Sequence, residues 1–337
     1  MHRLFTALNS NETDYKIPDM SPGPTTSRAY MHYYERQIIA SLCIISAVVG
    51  AVGNCLVIAA MFKSKKLRTV TNVFVANLSV SDLLACLFQP WEAVAVLDEG
   101  DKWLSHANWI CVTSIAVLCL SYGSSFNNLT LIALNRWIGI TKPKATARRI
   151  YSRRNIACML VFSWAFPLSL ILIPLLSDFG ELGYEPLYSV CGFVRANNNS
   201  LTYSFVFSMC FSPIQFVILV FCYASIFWYV RKKSKTMARL EIDSVSGGVC
   251  SLEREVRRKL WKRRIAVTKN LVYIVSAFII CQLPFVIAIS QQASDWAIRM
   301  TMYAVAILFL NSSINPIIYA VSHPDFKETF NDMFCRK

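Results

Sequence analysis

Apolar residues run along this chain in long, nearly uninterrupted stretches, with polar and charged residues gathered between them. A helix needs about 20 mostly apolar residues to cross the hydrocarbon core of a bilayer. Stretches of that kind fall roughly at 37–62, 70–97, 109–140, 155–176, 202–230, 265–290 and 297–320. These seven spans fill more than half the chain, and no separate soluble domain is left over. The pattern predicts an all-α fold: a seven-transmembrane helix bundle over 36–320, preceded by a tail over 1–35 and followed by a helix and tail over 321–337. In that last piece Phe326 and Phe330 stand one helical turn apart among charged neighbours, which predicts a short amphipathic helix on the membrane surface. No internal repeat is visible, which argues against the duplicated halves common in transporters.

Composition supports a membrane protein. Hydrophobic residues make up 55% and charged residues 16%, against the roughly 25% charged residues of globular domains. The net charge of +14 invites a nucleic-acid reading, but the basic residues sit beside the spans, where they orient a membrane protein. Lys63, Lys65, Lys66 and Arg68 lie between spans one and two, and Lys142, Lys144, Arg148, Arg149, Arg153 and Arg154 between three and four. The stretch between five and six is basic at both ends, from Arg231 and Lys232 to Arg263 and Arg264. The opposite loops hold little more than Lys102, Arg195 and Arg299. This asymmetry predicts a cytoplasmic C-terminus and an extracellular N-terminus at the plasma membrane, with the bilayer and not nucleic acid as partner.

No cleavable signal peptide is expected, because the apolar run after Arg3 is too short for an h-region. The sequons at Asn11 and Asn198 fall on the expected outer side and are candidate glycosylation sites. Those at Asn77, Asn128 and Asn311 fall inside spans. Twelve cysteines show no paired C-x-x-C spacing, and most lie in apolar spans, where they read as small buried hydrophobes. The spans contain no paired aspartates, H-E-x-x-H or G-x-S-x-G, so no enzyme is expected.

Polar residues inside hydrocarbon are costly and mark function. Span one contains Gly53-Asn54, span two runs from Asn77-Leu78 to Asp82, and span three ends in Asn135-Arg136-Trp137. Span four carries Trp164, and span seven reads Asn311-Ser312-Ser313-Ile314-Asn315-Pro316-Ile317-Ile318-Tyr319. This ordered set resembles the rhodopsin-like G-protein-coupled receptors over about residues 36–335.

The resemblance implies a disulfide between Cys111 and Cys191, permissible on the oxidising side. It also implies a sodium and water pocket in which Ser125, Asn311, Ser312 and Asn315 surround Asp82, the metal-binding carboxylate; a neutral, hydrogen-bonded Asp82 is the alternative. No other cofactor is expected. Coupling to a heterotrimeric G protein falls to Asn135, Arg136, Trp137, Tyr223, Asn315, Pro316 and Tyr319. Helix packing falls to Asn54, Trp164, Phe278, Gln282 and Pro284. Pro284 and Pro316 would kink their helices. Arrestin and a receptor kinase are further partners the resemblance suggests, and Cys335 is a candidate for palmitoylation.

The chain departs from the family pattern in places. Gln282 replaces the usual tryptophan of helix six, Asn135 the usual aspartate before the arginine, and Trp137 the usual tyrosine. The segment Trp261–Thr268 offers no acid that could clamp Arg136. Pro213 stands ten residues before Tyr223 instead of eight, which predicts a bulge or shifted kink in span five.

Leu118 occupies the position of the aspartate of amine receptors, and Phe309 that of the retinal-linking lysine of opsins. The run Ser121-Tyr122-Gly123-Ser124-Ser125-Phe126-Asn127 is similar to the melatonin-receptor branch and its invertebrate orphan relatives, although Pro316 stands where melatonin receptors have alanine. The polar candidates for a small-molecule or peptide ligand are Gln89, Trp91, Glu92, Tyr122, Gln215, Gln282, Gln291 and Gln292. The expected function is ligand-driven G-protein activation, with a multi-span transporter or channel as the alternative.

Overall fold

A computed structural model of the chain describes residues 32–98, 103–104, 106–243, 272–290 and 295–334. Seven of its helices have the length and apolarity to cross a membrane. They are α1 (Tyr33–Lys63), α2 (Val70–Leu97), α3 (Asn108–Thr141), α5 (Arg153–Leu176), α6 (Ser200–Asp243), α7 (272–290) and α8 (Asp295–Ser322). Two shorter helices complete the α elements: α4 (Lys144–Ile150), between α3 and α5, and α9 (Pro324–Phe334), after α8.

Local chemistry sets the helix starts. The His32 backbone N–H donates to Glu35 Oε2 at 2.9 Å, Thr69 Oγ1 accepts from Asn72 N–H, and Ser152 Oγ accepts from Asn155 N–H. Each satisfies a donor that the first turn leaves orphaned. Small residues then let helices approach closely. A Cβ on Gly53 would meet Pro316 Cβ at 2.7 Å, and one on Gly50 would meet Cys86 Sγ at 2.4 Å. Hence α1 seats directly against α8 and α2.

The bundle is apolar on both faces, as a membrane solvent demands. Phe74, Leu78, Phe126, Leu129 and Ile132 form its buried centre, while Phe62, Leu176 and Trp228 point outward. α3 runs through the middle, in contact with α2, α5 and α6. The 265–271 part of the expected sixth span lies outside the described residues.

Three features add to the sequence expectation. Pro213 sits within an α6 that is continuous from Ser200 to Asp243, with no interruption at the proline. The short helix expected after Tyr319 is present as α9, and Phe326 on it is fully buried: its ring lies 5.3 Å from Tyr319 and also packs on His323. Phe330 remains half-buried beside it. The loop before α6 also folds into an antiparallel hairpin, β1 (Leu182–Glu185) with β2 (Val190–Phe193). Its tip is held by Glu185, which accepts from the N–H groups of Leu187 at 3.0 Å and Arg195 at 2.6 Å. Cys191 on β2 is bonded to Cys111 in the first turn of α3, with 4.9 Å between their Cα atoms, so the hairpin lies across the upper end of the bundle.

Candidate functional site

Asp82 sits mid-helix in α2 with no solvent exposure. Its Oδ1 accepts from Ser125 Oγ on α3 at 2.9 Å and from Ser312 Oγ on α8 at 3.3 Å. Its Oδ2 accepts from Asn315 Nδ2 at 2.8 Å. Three side chains on two other helices thus close around one carboxylate, the compensation a buried charge requires. Asn311 departs from the expected set: it makes no hydrogen bond to Asp82, and its Oδ1 is buried without a partner. Ser121, one turn before Ser125, also carries an orphaned buried Oγ. Sequence reasoning passed over it, although the one-turn spacing from Ser125 was a usable signal. A hard cation prefers oxygen donors of this kind, and Asp82 with these hydroxyl and amide oxygens fits one. Among the described residues no group of three or more His, Cys, Asp or Glu could hold a metal.

Beside this shell runs a polar column that joins four helices. Trp164 Nε1 donates to Asn77 Oδ1, whose Nδ2 donates to Asn128 Oδ1 and Ser163 Oγ, each at 2.9 Å. Gln215 Nε2 donates to Asn127 Oδ1 at 2.8 Å. On the other side Asn54 Nδ2 bridges the carbonyls of Gly50 and Ser312, both at 2.9 Å. Apart from the Asn54–Gly50 bond within α1, these bonds tie α-helices together, and Asn54 and Trp164 both take part in them. Gln215 is a packing residue as well, not a ligand contact.

Above the column lies a cavity of about 200 Å³, roofed by the hairpin. Of the ligand candidates, it brings together Glu92, Tyr122 and Gln282. Tyr122 OH donates to Gln282 Oε1 across the cavity floor, joining α3 to α7. The Tyr122 ring meets Phe126 edge-on at 4.9 Å, and Phe126 meets Phe278 edge-on at 4.2 Å. Glu92, 2% exposed, accepts from the Cys191 N–H through Oε2 at 3.1 Å, and its Oε1 has no partner.

Two other candidates do not line the cavity. Gln89 is fully buried, with its Nε2 against the Phe309 carbonyl at 3.4 Å, and Trp91 stacks on Trp103. The hairpin residues Glu185, Tyr188 and Arg195, absent from the sequence candidates, do line it. Arg195 lies over the Tyr188 ring at 5.7 Å.

At the opposite end, Arg136 is half-buried on α3, and its Nε has no hydrogen-bond partner among the described residues. Its electrostatic neighbours are Tyr223, Asp325 and Tyr319. Asn135 turns away from it: Asn135 Oδ1 accepts from Thr71 Oγ1 on α2 at 2.6 Å. Burial pushes the Tyr151 hydroxyl, between α4 and α5, up to about 12, an effect partly offset by hydrogen bonding with Asn135. Trp137 packs on Phe221 and receives Lys142 over its ring at 5.3 Å. Pro316 is buried against α1, and Pro284 lies within α7. Asn198 is exposed in the turn that leads into α6. Asn11, Gln291, Gln292, Cys335 and the segment 261–268 lie outside the described residues.

Comparison with known proteins bears directly on this arrangement. The profile of the family described as "7 transmembrane receptor (rhodopsin family)" matches residues 53–319. The chain is 30% identical to melatonin receptor type 1B-B of Danio rerio, over 87% of this chain and 80% of that receptor. It is 25% identical to the G-protein coupled receptor moody of Drosophila melanogaster over 86% of this chain, and spans about half the length of that receptor. In fold it is similar to squid rhodopsin, with a TM-score of 0.76 at 21% identity, covering 90% of this chain and 87% of that one.

Proposed function

This chain belongs to the rhodopsin family of seven-transmembrane receptors, and we propose that it is a G-protein-coupled receptor that carries an extracellular signal through the bundle to a heterotrimeric G protein. The observation that carries this reading is the chain of contacts running inward from the cavity. Tyr122 and Gln282 span its floor, and Phe126 and Phe278 continue the α3–α7 contact below them. The Asp82 shell then ties α2 and α3 to α8, and Tyr319 on α8 lies in the electrostatic field of Arg136. A ligand that displaced α7 from α3 would strain each contact in turn and bias the bundle toward a second arrangement. Arg136, with its unpartnered Nε, is the group left to engage the G protein.

The positive-inside asymmetry puts Arg136 and α9 in the cytoplasm and the hairpin outside. Asp82, Ser125 and Ser312 would hold a sodium ion, with Asn311 and Ser121 offering further oxygens; the ion supplies positive charge that stabilises the resting bundle. Asn11 and Asn198 are the glycosylation sites on this orientation, and Cys335 the acylation site. Arrestin and a receptor kinase would use the same inner face. A transporter is not favoured, because the family model that matches residues 53–319 and the similar proteins are receptors.

Reconstitution with purified heterotrimeric G proteins tests the reading. The wild-type chain should accelerate guanine-nucleotide exchange over receptor-free membranes, and Arg136→Ala should remove that acceleration. Exchange at the receptor-free rate for every G-protein class contradicts it.

A further inference from the structure

The upper cavity has one feature that packing does not account for. Glu92 is a buried acid in a cavity that Leu118, Val305, Leu308 and Phe309 also line, with Glu185, Arg195, Gln282 and Thr301 among its polar residues. Among the described residues its only donor is the backbone N–H of Cys191, and the second oxygen has no partner. No ion pair reaches it among the described residues, where the pairs are Lys66–Glu328 and Arg299–Glu35. Arg195, the basic residue that lines the cavity, donates to Tyr188 instead. A buried carboxylate with one donor is far from compensated, and a cation in contact with it would gain strongly from the low dielectric.

The size and surroundings of the cavity narrow the class of cation. About 200 Å³ exceeds the roughly 150 Å³ that accepts a benzene ring, and leaves room for one ring with a short chain. The hairpin covers the top of the space. On its flank a larger cleft of about 1010 Å³ runs between α6 and α7 and shares Leu201, Ser204, Ser208, Gln282, Phe285 and Ile289 with the cavity. Its outer walls, Phe205 and Val286, are exposed on the bilayer-facing surface. A molecule that partitions into lipid can reach the cavity by this side entrance.

Resting on the receptor reading above, we propose that the cavity takes a small lipophilic amine. Its ammonium pairs with the free oxygen of Glu92, and its apolar body packs among Leu118, Val305, Leu308 and Phe309. The pairing differs in position from a span-three aspartate, whose place Leu118 occupies. It also gives Glu92 two tasks, holding the hairpin through one oxygen and the ligand through the other, so that occupancy would be felt at the cavity roof.

Phenethylamine and phenylpropanol, alike in shape and unlike in charge, are suitable probes. Thermal-shift titration of the purified full chain in lipid nanodiscs should show the amine binding at least tenfold more tightly than the alcohol. Glu92→Gln should erase that preference, and Leu118→Trp, which fills the cavity, should abolish binding of both. Equal binding of the two probes, no binding of either, or a preference that survives in Glu92→Gln overturns the proposal. If Glu92→Gln does not fold, an azido-phenethylamine label on the wild-type chain decides instead. It should mark the cavity walls and be displaced by phenethylamine but not by phenylpropanol; labelling elsewhere overturns the assignment. Nucleotide exchange on a G protein, run on the same preparations, separates the two levels. Exchange without amine preference removes the ligand class alone, whereas absence of exchange removes the receptor reading.

Discussion

α2 carries two buried acids, Asp82 and Glu92, about 15 Å apart along its axis at 1.5 Å per residue, and their surroundings are opposite. Asp82 is met by three side-chain donors from α3 and α8. Glu92 is met by one backbone N–H from the hairpin, and keeps an oxygen without a partner. Burial alone therefore does not give an acid its role in this molecule. The number and origin of its donors do. The inner acid knits three helices together, and the outer acid holds a roof over a cavity while leaving capacity for something else.

Breaking the roof should have the largest effect. Cys111→Ala releases the hairpin from α3, and loss of a native disulfide typically costs about 2–5 kcal/mol in small secreted domains. Surface expression and thermal stability should both fall. A variant as stable as wild type would mean that the non-covalent contacts of the hairpin, such as Cys191 N–H to Glu92 and Tyr184 N–H to Asn108, secure the roof. Next comes the inner acid. Asn315→Ala removes the only donor to Asp82 Oδ2 among the described residues, and stranding a buried acceptor costs about 1–3 kcal/mol. Unfolding of the purified protein should shift accordingly, while hairpin protection in hydrogen exchange stays unchanged. Loss of hairpin protection in this variant would show that the two acids are not independent.

The smallest effect belongs to the inner face. Asn135 is occupied by Thr71 and leaves Arg136 without a charged restraint from its neighbour. Asn135→Asp would add one, and charged hydrogen bonds exceed neutral ones by roughly 1 kcal/mol. Ligand-free nucleotide exchange should drop several-fold, since about 1.4 kcal/mol is tenfold in a two-state ratio. A silent wild type, or a variant with undiminished exchange, would locate the resting restraint elsewhere.

The two acids also show how far the sequence could be read. Bilayer thickness fixes helix length, so seven spans were legible from apolar runs alone, and α1, α2 and α5 begin and end within a few residues of expectation. The partners of Asp82 followed from the family pattern, with Asn311 the exception. The cavity was harder. A helix apolar on every face gives no periodic signal of its rotation, so Gln89, Trp91 and Gln215 looked as suitable as Glu92, yet they point into packing contacts. The hairpin escaped notice because its strands are four residues each, in a loop of mixed polarity. Its register depends on a tertiary disulfide and on Glu185 bonding to nearby backbone. The helix that carries Phe326 was legible, but the partners of its ring were not, because Tyr319 and His323 lie on the preceding helix and at its junction.

The most direct measurement of the whole account is a sodium titration of ligand-free nucleotide exchange, made in parallel on the wild type, Asp82→Asn and Glu92→Gln in nanodiscs with a heterotrimeric G protein. A receptor with a cation-holding inner acid and a ligand-facing outer acid should show exchange that falls as sodium rises in wild type and in Glu92→Gln alike, and that is flat in Asp82→Asn. The same sodium response in all three proteins would contradict the division of labour between the two acids, and no exchange above the receptor-free rate in any of them would contradict the receptor itself.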